Sequence, residues 1–352
     1  MPTKRSCWNT SMEPSERLSR LALNRADFLQ PRERLWLLES LGTARKVLSL
    51  SRWALANQLG RRVTAQWQPS RLVQRAERDA KDLTEGRFGC TFWADADYPP
   101  QLYEIHDPPL ILFYRGRLPS YDKPMIAVVG TRKPTGAARK AAYGLGHDTA
   151  REHITVVSGL AMGIDAHAHR GALDGGGGTC AVLGNGIDTI YPRSHSLLAG
   201  KIIATGGAIV TEFSPGTPPL RYNFPARNRI ISGLCRSVVV VQAPLRSGAL
   251  ITAEYALNQG RDLYVHADGT DSAAGAGTRA LVESGAPVIQ DARCVLKEWD
   301  WPLREGVAPR LAQGDTGAWT SVPGDVGQRL ARQLELELSG KLSSKNGEMY
   351  WH

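Results

Sequence analysis

Two rhythms of apolar and polar positions divide this chain. Across residues 15–85 apolar side chains recur at helical spacing: Leu35, Leu38, Leu41, Val47, Leu48 and Leu55 follow one another in "PRERLWLLESLGTARKVLSLSRWALANQLG", with a break at Gly42. "PSRLVQRAERDAKDL" predicts a further amphipathic helix. From residue 125 the pattern turns to short β-branched runs: "MIAVVG", "ITVVSG", "TCAVLG", "AIVTEF", "SVVVVQA", "DLYVHA" and "PVIQ". Helical segments separate them. Strands apolar along their whole length, alternating with helices, predict a parallel sheet covered on both faces. Between the two regions, residues 90–120 carry two Pro-Pro pairs and read as an irregular connector with one strand, "LILFYRG".

In such a sheet ligands bind beyond the carboxyl ends of the strands, so the loops there carry the candidate chemistry. "GTRKPTG" at 130–136 is neither G-x-G-x-x-G nor a Walker loop. Gly130 permits close backbone approach, and Arg132 and Lys133 offer phosphate a fork and a point charge, although a solvated turn would read the same way. In "VVSGLAMGIDAHAHRGAL" Gly159 and Gly163 bracket a turn into a helix whose start favours an anionic oxygen. His167 and His169 are two apart, hence about 200° apart on a helix, and cannot share a metal. Asp165 and His169 are four apart and share a face, which predicts a hydrogen-bonded pair bracing the turn. In "NFPARNRIISGL" Arg227, Asn228 and Arg229 beside Phe224 suit phosphates and one stacked base. Ser247 and Gly248 open another helix at the same edge. No nucleophile–base pair and no carboxylate pair emerges from these loops, so holding a sugar-phosphate fits better than breaking a bond.

Charge sharpens that picture. The net charge is +9, which favours a polyanionic partner. The basic excess is 6 over residues 1–121 and 3 over 122–300, and it vanishes over 301–352. Five scattered cysteines without a C-x-x-C pair argue for reduced thiols in a cytoplasm and against a zinc module. The first residues lack the apolar core of a secretory signal, and no apolar run is long enough to span a bilayer.

Five of these motifs, in this order, closely resemble the DNA-processing protein A family (DprA/Smf): "AVVGTRKPTG", "VVSGLAMGIDAHAHRGAL", "GNGIDTIYP", "NFPARNRIISGL" and "SGALITAEYALNQGRDLYV". "DADYPPQLYEIHDPPLILFYRG" resembles the family's lead-in segment, so the likeness covers roughly residues 90–290. It implies an α/β fold: an extended Rossmann-like parallel sheet with helices on both faces, preceded by a small helical domain and followed by a short winged-helix-like tail. The corresponding boundaries are 1–88, 89–121 for the connector, 122–298 for the Rossmann-like domain and 299–352 for the tail. It implies single-stranded DNA binding without catalysis, a homodimer, and loading of the RecA recombinase during natural transformation, with no cofactor, metal or membrane. DNA contacts are then expected at Gly130, Arg132, Lys133, Ser158, Gly159, Gly163, Phe224, Arg227, Arg229, Ser247 and Gly248, with Asp165 and His169 as supports. The alternative is a Rossmann-like enzyme or sensor for a small nucleotide, drawing on Asp165, His169, Glu212 and Glu254. The "PGGxGT" loop of such hydrolases is absent.

Overall fold

A computed structural model describes residues 12–303, 342–345 and 348–351. Residues 1–309 form one compact unit and 310–352 a second. Five helices open the first unit: α1 (Pro14–Asn24), α2 (Pro31–Leu41), α3 (Ala44–Leu48), α4 (Arg52–Leu59) and α5 (Pro69–Thr84). The Gly42 break is a helix stop, since that residue closes α2 at φ 82°. Restart two residues later is secured twice: Thr43 caps α3, and Glu16 of α1 accepts the Ala44 amide at 2.8 Å.

Nine strands follow in one sheet: β1 (Gly89–Phe92), β2 (Ile111–Gly116), β3 (Met125–Val129), β4 (Thr155–Ser158), β5 (Thr179–Val182), β6 (Ala208–Thr211), β7 (Ser237–Val240), β8 (Asp262–His266) and β9 (Val288–Ile289). Their order is β1-β2-β6-β5-β4-β3-β7-β8-β9. From β6 to β9 all pairings are parallel, as the seven apolar runs predict. The expected connector adds two strands in place of one: β2 runs antiparallel to β6, and β1 antiparallel to β2.

The intervening helices are α6 (Gly136–Arg151), α7 (Ile164–Asp174), α8 (Ser196–Ala204), α9 (Asn223–Gly233), α10 (Gly248–Asn258), α11 (Ala276–Glu283) and α12 (Ala292–Glu298). Strand alternation assigns them to faces. Ile126 and Val128 of β3 pack with Ala138, Ala142 and Ala168 of α6 and α7. Ala127 and Val129 point the other way, into a cluster with Ile230 of α9 and Ala253 of α10. The front helices share a third cluster with the antiparallel edge, where Leu21, Leu37 and Leu55 meet Phe92, Ile111 and Phe113. Among the described residues no helix is long and apolar enough to cross a membrane.

In the second unit Leu342–Lys345 (β10) and Glu348–Trp351 (β11) form an antiparallel hairpin. Apart from residues 299–303, the rest of the expected winged-helix-like tail lies outside the described residues.

Candidate functional site

The chain begins its parallel sheet at β3, builds outward through β4, β5 and β6, then crosses back to place β7 on the other side of β3. This reversal leaves a crevice beyond the ends of β3 and β7. Gln242 clasps it: its carbonyl accepts the Thr131 amide at 2.7 Å, and its side chain accepts the Thr135 amide at 2.9 Å. The loop 130–135 is thereby fixed, and Arg132 and Lys133 stand exposed on it.

The next loop, 159–163, is built from the inside. Asp165 Oδ2 accepts the amides of Gly159 at 3.1 Å and Ala161 at 3.4 Å, which folds the turn back on the first turn of α7. Gly163 has φ 81°, and a Cβ there would run into the carbonyl oxygen of Thr131. Only glycine lets the two loops touch this closely. The contact is used at once, because the Ile164 amide donates to Thr131 O at 3.2 Å. A Cβ on Gly159 would sit 2.8 Å from both the Arg227 Cζ and the Asp165 carboxylate.

Arg227 is the keystone below that turn. It is 4% exposed, donates to the carbonyls of Gly159 (2.9 Å) and Val182, and so joins the ends of β4 and β5. Burial lowers its guanidinium to about 10, still charged at neutral pH, and Asp165 opposes that shift. Arg229, also 4% exposed, forms a bidentate pair with Glu212 and donates to Asp107 O at 2.9 Å. Ser158 is fully buried and donates to Val128 O at 2.7 Å. Ser247 accepts the Ala249 amide as the cap of α10, and Gly248 O accepts Asn228 Nδ2.

These placements correct part of the expected site. Ser158, Arg227 and Arg229 are enclosed and donate to backbone carbonyls, to Asn228 Oδ1 and to the Glu212 carboxylate, so they brace the edge from within. Asp165 and His169 do not pair with each other. His169 Nδ1 donates to Thr179 Oγ1 at 2.7 Å, and that hydroxyl donates to Val156 O at 2.8 Å, at the opposite end of the strands. This leaves Nε2 bare and, among the described residues, without a partner. Burial and nearby His195 and Arg227 lower His169 to about 3. His167, half-buried near Arg170 and Arg139, falls to about 4. Both rings are neutral at pH 7.

What remains outside is a rim of cations and rings. The Arg132 guanidinium lies 5.7 Å from the centre of the Phe224 ring, which covers Gly184, and Tyr191 meets Phe224 at 5.6 Å. Tyr191 and Tyr222 are exposed, as are Arg193, Arg221 and Arg246 in the loops after β5, β6 and β7. In the loops after β3 to β7 Asp188 is the one exposed carboxylate, and it is held by the Gly216 amide at 2.7 Å; the loop after β8, joined to Gln242 through Ser272, adds exposed Asp268 and Asp271. Sequence reasoning passed over Tyr191, Arg193, Arg221 and Arg246. Their signal was present as arginine beside an aromatic or a proline in "IYPRS", "LRY" and "PLRS". No group of three or more His, Cys, Asp or Glu side chains suited to a metal occurs among the described residues.

Fold and edge together define a doubly wound α/β protein with a basic, aromatic rim. The sequence model of the family described as DNA recombination-mediator protein A matches residues 89–300, and the chain belongs to that family. It is 42% identical over 211 residues to Protein Smf of Escherichia coli, covering 60% of this chain and 56% of that protein. With DNA processing protein DprA of Streptococcus pneumoniae it shares 40% identity over 207 residues, 59% of this chain and 73% of that one. The solved structure of DprA from S. pneumoniae superposes with a TM-score of 0.63 at 32% identity, covering 82% of this chain and 99% of the other. DNA processing protein A from Helicobacter pylori, whose structure is described for its single-stranded DNA binding mode, superposes with a TM-score of 0.55 at 28% identity, covering 61% and 98%.

Proposed function

We propose that this chain binds single-stranded DNA along the crevice edge, with no chemical step, in DNA recombination and natural transformation. The observation that carries the reading is the division of the edge. Its exposed layer holds Arg132, Lys133, Arg193, Arg221 and Arg246 around Phe224 and Tyr191, while Asp165 and Glu212 are buried and engaged. Cations tracking a backbone with rings for bases to stack on suit a strand of any sequence. The small-nucleotide alternative loses its carboxylates: Asp165 and Glu212 serve the scaffold, and Glu254 is exposed on α10. Loading of RecA and a homodimeric state belong to the same reading through family membership.

The test is fluorescence anisotropy on oligo-dT across a salt series. Arg132→Ala and Arg193→Ala should each weaken binding and lower the slope of log K against log salt by about 0.7, the value for one contact to a single strand. Duplex of equal length should bind more weakly. Unchanged affinity and slope in both variants would sink the assignment of this edge. Pull-down of RecA and sedimentation test the remaining two elements.

A further inference from the structure

The front helices contain a cleft of about 700 Å³ that the crevice does not use. It opens between the α1–α2 turn, the 64–68 loop and the first half of α5. Leu72 and Phe28 form its apolar wall, and Phe28 is held edge-on by Trp67 at 6.2 Å. Gln66 and Gln68 place amides on the opposite lip, exposed. Arg71 and Arg75 stand on the rim, exposed, and their guanidiniums make no hydrogen bond or ion pair among the described residues. They are four residues apart on α5, so about 6 Å apart along one helix face. Asp27 is the one carboxylate in the lining, and it is exposed.

The back of this cleft is tied to the crevice. Arg25 forms a bidentate pair with Asp79 of α5 and donates to the carbonyl of Pro215 at 3.1 Å. The preceding Asn24 donates to Glu212 O at 3.0 Å and to Ser214 Oγ at 3.1 Å. Residues 212–222 are the crevice loop that carries Arg221 and Tyr222. One short segment therefore carries rim residues at one end and, near the other, holds Arg25, a lining residue of the cleft.

We infer that the cleft is a second station for single-stranded DNA, taking the strand that leaves the crevice across the 212–222 loop and holding its phosphates on Arg71 and Arg75. The ring of Phe28 offers an apolar wall to a base; Gln66 Oε1 accepts from Thr64 and Gln68 Nε2 donates to Ala65 O, which leaves Gln66 Nε2 and Gln68 Oε1 to offer a donor and an acceptor to its edge. A volume of this size admits a nucleotide-sized ligand. This inference rests on the crevice being the first station, and it makes the length of bound strand depend on the front helices.

The experiment compares the full chain, Arg71→Ala/Arg75→Ala and Arg132→Ala on a ladder of oligo-dT lengths. In the double variant the shortest oligomers that bind should keep their affinity. Long oligomers should lose about tenfold, with the salt slope reduced by about 1.4 for two single-strand contacts. Both arginines are exposed and make no hydrogen bond or ion pair, and Arg75 acts on Asp79 only through space, so the melting temperature should move by no more than about a degree, and its near-constancy certifies the fold. Arg132→Ala should weaken all lengths alike. Unchanged binding of long oligomers by the double variant overturns the second station while leaving the crevice intact. Equal loss at every length also overturns it as an extension. Loss by the double variant with no effect of Arg132→Ala would instead remove the crevice reading.

Discussion

Arg132 and Arg229 border the same crevice and differ in everything that determines their use. Arg132 is exposed and leans on an aromatic ring; Arg229 is enclosed, with its fork filled by Glu212 and Asp107 O. A guanidinium in water keeps donors for a passing phosphate, whereas a buried one must be satisfied before any ligand arrives. The edge thus has an inner layer that sets geometry and an outer layer that meets the ligand. The lesson is that charge near a strand end says little until burial is known.

Substitutions that separate the layers test this contrast. Arg229→Ala should have the largest effect, since it strands Glu212 in the interior; a loss of about 3–5 kcal/mol in chemical denaturation is expected. A loss below about 1 kcal/mol would place Arg229 functionally with the rim. Gly163→Ala comes next, on the order of 1–3 kcal/mol from forcing a side chain into φ 81° against Thr131. DNA affinity should fall with it, because the 130–135 loop must shift.

Acid should test a buried group at the other end of the strands. The folded-state value of His169, about 3, lies below the ordinary 6.5, so the unfolded chain binds the extra proton between those limits. The stability it contributes is complete above pH 6.5 and is lost as pH falls toward 3, by about 2 kcal/mol at pH 5. Melting curves from pH 7.5 to 4.5 should therefore be flatter for His169→Asn than for the parent chain. Identical curves would remove His169 as the cause. The smallest effects belong to the outer layer. Phe224→Leu keeps an apolar cover over Gly184 but removes the stacking face, and should cost about 1–3 kcal/mol of oligo-dT affinity at little cost in stability.

Much of the frame was legible because the central parallel strands are buried on both faces and must be almost wholly apolar; "SVVVV" and "MIAVV" admit little else. Strand β1 was hidden because four residues, "GCTF", carry too short a pattern beside the proline pairs. The inner layer was illegible for a different reason. Glu212 and Arg229 are seventeen residues apart on separate elements, and only the completed fold encloses them. His169 had the correct spacing from Asp165, yet Thr179 lay nearer its ring nitrogen. The surface placement of Arg132 and Lys133 follows from a loop between a buried strand and a capped helix, which local chemistry does encode.

The grip of Asn24 and Arg25 on the 212–222 loop has a consequence for how freely that loop can drift. Two of its three acceptors are peptide carbonyls, at Glu212 and Pro215, a group that every amino acid supplies. Docking of the front helices is thus largely blind to the identity of the side chains on the loop. Positions such as Arg221 and Tyr222 are free to be exchanged, and the preferences of the rim retuned by mutation, without loosening the part of the molecule that holds them.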